Sequence, residues 1–136
     1  MGRQFSAGNL NHEIMHMLGF YHEHQRADWD SFVKINFGNV KRAFYFDMIQ
    51  EPNLTEYDNG SIMQYPRIIA NTNLVNDPKK DTIIPLKSLD VETILGQRGR
   101  LSSQDIQGIN ILYPEVSGVR PLALEATLIE IELASI

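Results

Sequence analysis

The chain has no cysteine among its 136 residues. That excludes a disulfide framework and leaves stability to packing alone. Nor is there an apolar run near the roughly 20 residues that a membrane-spanning helix needs. No cluster of basic residues offsets the formal charge of −5, which argues against nucleic acid as the main partner. Repeats and low-complexity tracts are absent. Met1 to Phe5 lead straight towards a helix, so no signal peptide is expected. The short myristoylation pattern formed by Met1, Gly2 and Ser6 is outweighed by the helix that follows within two residues. What remains is an ordinary globular composition, 43% hydrophobic and 21% charged, with room for one domain and a modest core.

Histidine is also scarce, and its distribution is the main signal. All four, His12, His16, His22 and His24, fall within thirteen residues. The string from His12 to His22 fits H-E-x-x-H-x-x-G-x-x-H at every specified position. A helix over residues 7 to 18 sets His12 and His16 one turn apart on one face. Two imidazoles can then reach one Zn²⁺ at about 2.0–2.1 Å. Glu13 lies one step round the helix, beside the metal and free to act as general base. Gly19 can adopt the left-handed conformation that ends a helix sharply, turning the chain so that His22 supplies the third ligand. Three neutral nitrogens leave an open position for water, the mark of a catalytic site. An amphipathic surface helix with an apolar stripe of Leu10, Ile14, Met17 and Leu18 explains neither Glu13 nor the glycine-linked third histidine.

Two further segments bear on identity. Residues His22 to Asp30, H-E-H-Q-R-A-D-W-D, and residues Tyr57 to Tyr65, Y-D-N-G-S-I-M-Q-Y, follow the zinc motif in order. Leu95 to Ser102 with Asp105, Ile106 and Ile109 to Tyr113 then close the pattern. Together these resemble the astacin family of zinc metalloendopeptidases, within the metzincins, from about Gly8 to Tyr113. Trp29 stands where the family usually has Arg, Gln64 where it has His, and Asn11 where it has an apolar residue. The resemblance implies that Met63 lies beneath the zinc ligands as an apolar floor and that Tyr65 assists at the metal or the oxyanion. It also implies that Glu23 is an outer partner of the site. The family is extracellular. Its animal members usually carry two disulfides, which this chain cannot form.

The expected fold class is α+β. The resemblance implies a zincin-type catalytic half-domain over residues 1–114, with a zinc helix, a C-terminal helix and long irregular segments, and without the upstream sheet subdomain. Ser6 is the expected N-cap of the first helix. Residues 32–36 read as a short strand, and Asn39 to Met48 as a short helix with Val40, Phe44 and Met48 at helical spacing. Residues 49–101 carry four prolines and little periodicity, which suits the wall of a site. Ser102 with Asp105 forms a near capping box for a last helix whose buried face is Ile106, Ile109, Ile111 and Leu112. Residues 115–136 read as a linker and a β-prone tail.

The function expected from these residues is zinc-dependent hydrolysis of peptide bonds in a protein or peptide substrate. His12, His16 and His22 hold Zn²⁺ and Glu13 is the general base, with Tyr65 at the oxyanion. Arg26, Asp28 and Asp30 are expected either to form a network behind His22 or to make a solvated charged face. His24 is expected at the surface with no metal role, and Trp29 in packing. The alternative is a non-catalytic fragment or pseudo-protease that keeps the zinc site.

Overall fold

The computed structural model describes residues 6–114; the expected linker and β-prone tail lie outside the described residues, as does the Met1–Gly2 pattern. Helix α1 spans Ala7–Met17. Ser6 caps it, with its Oγ accepting from the Asn9 N–H at 3.2 Å. A three-residue strand β1, Val33–Ile35, pairs antiparallel with β2, Ile83–Pro85, in the register Val33↔Pro85, Lys34↔Ile84 and Ile35↔Ile83. Helix α2 spans Ser103–Leu112. Most of the chain between β2 and α2, and between β1 and β2, is turn and irregular segment, as expected for residues 49–101 from their prolines. No described helix is long and apolar enough to cross a membrane.

The core has two parts. Val33, Ile35, Phe46, Tyr57, Ile69, Val75 and Ile83 pack around the β1–β2 pair, with Trp29 and Phe32 against them. Met15, Ile62 and Met63 form a second cluster, joined by Phe20, Leu101 and Ile109. This second cluster brings α1, the turn at residues 61–64 and α2 together, and so positions the histidines. Trp29 is a packing residue as expected: it meets Phe37 edge-on at 6.4 Å.

Three expectations are corrected. Asn39 to Met48 is not an α-helix. Two 3₁₀ turns, Phe37–Asn39 and Ala43–Phe46, stand there, and Phe44 and Met48 are exposed. The backbone is diverted into partners far along the chain: the Lys41 N–H donates to Leu74 O, and Asn39 O accepts from the Asn76 N–H. The buried Asn39 side chain donates to Asp77 O and Thr82 Oγ1 and accepts from the Asp77 N–H. Long-range bonding of this kind outbids local helical spacing. Secondly, α2 turns Asp105 and Gly108 inward, with Ile109 partly buried, while Ile106, Ile111 and Leu112 are exposed. Thirdly, His24 is not a surface residue but is fully buried.

The stripe of Leu10, Ile14 and Met17 on α1 is exposed, Met17 at 85%. The buried positions of this helix are Gly8, His12 and Met15. Gly8 is there because nothing larger fits. A Cβ at this position would lie 1.5 Å from the carbonyl oxygen of Arg98.

Candidate metal centre

Helix α1 presents His12 and His16 from one face, one turn apart. It ends in a Schellman motif centred on Gly19, whose φ is +93°. The Gly19 N–H donates to His16 O and the Phe20 N–H to Met15 O, both at 3.0 Å. Phe20 then packs against the cluster of Met15, Ile62 and Met63, in keeping with the apolar contact that accompanies this cap. His22 follows in an extended conformation and begins a 3₁₀ turn, Glu23–Gln25. The Glu23 N–H donates to Met63 O at 3.2 Å, tying this turn to the one carrying Met63.

One ring nitrogen each from His12, His16 and His22 lies within 4.8 Å of the others. In each ring Nδ1 is already engaged: with Ile62 O at 2.9 Å, Phe20 O at 2.8 Å and Gln25 Oε1 at 3.0 Å. An oxygen acceptor requires a proton on Nδ1, so in the neutral rings Nε2 carries a lone pair. Yet His16 Nε2 and His22 Nε2 stand 3.2 Å apart. Two lone pairs at that distance repel unless a cation lies between them. Tetrahedral zinc with bonds of 2.0–2.1 Å separates its nitrogen ligands by about 3.3 Å. The donor set, its tautomers and the His16–His22 spacing thus fit zinc. Burial lowers the pKa of His12, and that of His22 to about 3, so both rings stay neutral, the form a metal requires.

Around this centre, Tyr65 meets the His22 ring edge-on at 4.5 Å and the His24 ring at 4.3 Å. Burial raises its pKa, which keeps the phenol protonated. Glu13 is exposed beside His12. Met63 is buried with Met15 and Ile62. Glu23 is largely buried; its carboxyl is pushed up to about 7 by burial, against the pull of Arg26. The Arg26 guanidinium binds both oxygens of Asp28 at 3.0 and 3.1 Å, donates to Thr55 O and Glu56 O, and reaches Glu23 at 3.3 Å. Of the two expected arrangements, Arg26 and Asp28 form the network, and it joins them to Glu23, the residue after His22. Asp30 is exposed and forms no ion pair among the described residues.

Four residues outside the expected set shape the site. Gln25 engages His22, as described. His24 stacks against His22 at 5.4 Å, and its Nε2 meets Tyr45 O at 3.2 Å. Gln64 is buried and accepts the Tyr57 hydroxyl at 3.1 Å. Asp105, read in the sequence only as a cap, also accepts from Ser61 Oγ and the Ile62 N–H. Of these four, Asp105 alone carried a local signal that was read, its capping box with Ser102; the three-residue spacing of His22 and Gln25 is a second such signal.

The family model described as Astacin, a peptidase family, matches residues 4–114. The chain is 42% identical over 107 residues to Low choriolytic enzyme of Oryzias latipes, covering 76% of this chain and 37% of that protein. It is 37% identical over 109 residues to Astacin-like metalloendopeptidase of Mus musculus, covering 78% of this chain and 23% of that one. The solved structure of High choriolytic enzyme 1, a hatching enzyme zinc-protease from Oryzias latipes, superposes with a TM-score of 0.68 at 39% identity. The match covers 78% of this chain and 52% of that chain. The chain thus spans well under half of these two curated relatives and about half of the solved one. A zinc-fitting histidine triad on a helix with a glycine turn, set in a fold shared with a solved zinc-protease, places this chain in the astacin family.

Proposed function

We propose that this chain is the metal-binding part of a secreted zinc endopeptidase, in which His12, His16 and His22 hold Zn²⁺ and Glu13 is the general base. The observation that carries the reading is the pair of Nε2 lone pairs facing each other at 3.2 Å, with both Nδ1 atoms engaged elsewhere. When bound, zinc acts as a Lewis acid and brings the pKa of a water down to about 7. Glu13 follows His12 directly on α1 and is exposed, so its carboxylate can take a proton from the water that attacks the peptide carbonyl. It returns that proton to the amine as the C–N bond breaks. The Tyr65 phenol, kept protonated by burial, is a hydrogen-bond donor for the developing oxyanion. Glu23 and Met63 support the ligands from behind: Glu23 through Arg26 and the Asp58 N–H, Met63 through the apolar floor it shares with Met15.

The test is Glu13→Gln. The amide keeps the shape of the carboxylate and is no base, so one equivalent of zinc should remain while chelator-sensitive hydrolysis disappears. Wild-type turnover in that variant would refute the assignment of Glu13.

A second reading is favoured by one observation, the exposed apolar face of Leu10, Ile14 and Met17 on the zinc helix. On that reading residues 1–136 by themselves keep the metal and hydrolyse nothing, because the face awaits a further part of the protein. Casein hydrolysis by the monodisperse 136-residue chain, abolished by a chelator, would eliminate it.

A further inference from the structure

The three histidines are not oriented by the same kind of partner. His12 and His16 give their Nδ1 protons to main-chain carbonyls, Ile62 O and Phe20 O. His22 gives its proton to a side chain, Oε1 of Gln25 at 3.0 Å. His22 is also the ligand that has left the helix, so α1 does not fix its ring.

We propose that Gln25 is the positioning residue for the third ligand: it sets the tautomer and ring plane that leave His22 Nε2 free for the metal. This rests on the zinc reading above. The geometry behind it begins with the backbone. His22 caps a 3₁₀ turn, and in such a turn side chains at i and i+3 eclipse one another, which sets Gln25 beside the His22 ring. Gln25 is itself held on both sides. Its N–H donates to His22 O at 2.9 Å, and its carbonyl accepts from the Ile49 N–H at 2.7 Å. The next residue, Arg26, is anchored by Asp28, Thr55 O and Glu56 O. The Gln25 side chain therefore projects from a fixed base. Ring packing by Tyr65 and His24 restrains where the His22 imidazole lies, and neither contact dictates which nitrogen carries the proton. Gln25 does, because an amide oxygen at that distance accepts only from N–H.

Loss of such a partner typically weakens metal affinity about 10- to 100-fold. The experiment is a competitive zinc titration of the full chain against a chromophoric chelator, run on wild type, Gln25→Leu, Gln25→Met, Gln25→Glu and His16→Ala. Gln25→Leu and Gln25→Met, which lack the acceptor, should each bind zinc about 10- to 100-fold more weakly than wild type. Gln25→Glu, which restores an acceptor of the same length, should recover wild-type affinity or exceed it. Equal affinities in wild type and both acceptor-free variants would overturn the assignment alone. So would an equal loss in the Glu variant, since that pattern marks bulk structure rather than the hydrogen bond. Uptake of no zinc by wild type, or undiminished uptake by His16→Ala, would overturn the metal-centre reading and this assignment with it.

Discussion

Asp105 on α2 holds Ser61, a residue 44 positions earlier, through a 2.6 Å hydrogen bond from the serine hydroxyl to Oδ1. Its other oxygen accepts from the Ile62 N–H at 3.0 Å and from the Ser102 N–H at 2.8 Å. One buried carboxylate thus completes a helix capping box and fixes the turn whose Ile62 carbonyl receives His12. Removing it in Asp105→Ala would leave the buried Ile62 N–H without a partner. A loss of about 2–4 kcal/mol is expected by urea denaturation, together with weaker zinc binding. Asp105→Asn, which keeps an acceptor, should lose less. Equal stability of Asp105→Ala and wild type would show that the turn stands without it.

Zinc should bind at one equivalent and act as part of the fold. Dialysis into a strong chelator should lower the melting temperature. At free zinc a thousandfold above its dissociation constant, linkage alone contributes about 4 kcal/mol. His12→Ala, His16→Ala and His22→Ala should each abolish stoichiometric zinc by elemental analysis and make the melting temperature insensitive to chelator.

Without metal, stability should depend on pH through groups whose shifts oppose. Burial lowers His24 from 6.5 to about 4 and His22 from 6.5 to about 3. The unfolded chain binds those protons first, so their contribution is full above pH 6.5 and is lost as pH falls towards 4 and 3. Glu23 runs the other way: burial raises it from 4.5 to about 7, so its neutral form favours the folded state below 4.5 and that contribution fades as pH rises through 7. The histidine shifts are together the larger. In chelator, stability should fall between pH 6.5 and 4, more steeply in Glu23→Gln and less steeply in His24→Phe. The reverse ordering of these two slopes would contradict the burial of both groups.

Tyr65→Phe should reduce turnover by about 10²- to 10³-fold, the cost of one oxyanion donor, with a smaller change in KM. The ring remains, so its packing on His22 and His24 should keep zinc affinity unchanged. A proportional rise in KM with kcat intact would assign Tyr65 to substrate binding instead.

Gly8→Ala should destabilise the chain by about 3 kcal/mol or fail to fold, since the new methyl would overlap the Arg98 carbonyl. Gly99→Ala is the control, with its nearest neighbour 3.7 Å away. Thermal melts of the two variants should separate clearly.

What the sequence disclosed was whatever is decided within a few residues. Ser6 and the Ser102–Asp105 pair cap helices by rules that act over three positions, and Gly19 ends α1 by a conformation that glycine adopts freely. The spacing of His12, His16 and His22 needs only a helix and a turn. What it withheld depends on partners far along the chain. Asn39 fails to start a helix because of Asp77 and Thr82, and His24 is buried because Tyr65 and Phe46 enclose it. Helix α2 turns a carboxylate inward, where its isoleucines were expected, because Ser61 and Ile62 stand there to receive it.

The Tyr113 hydroxyl donates to Leu18 O at 3.0 Å, across a separation of 95 residues. Contacts of that span are slow to form, because the intervening chain must first be closed into a loop. Synthesis adds a delay of its own. At about 5–20 residues per second, α2 emerges roughly 5–20 seconds after the histidine helix. Until then neither the Tyr113 bond to the end of α1 nor the Asp105-held turn behind His12 is in place. The nascent histidines therefore spend that interval as a weak, unorganised chelate, and tight zinc capture is deferred until α2 has been made. Ribosome-stalled chains ending before residue 103 should accordingly take up zinc far more weakly than chains stalled well beyond residue 113.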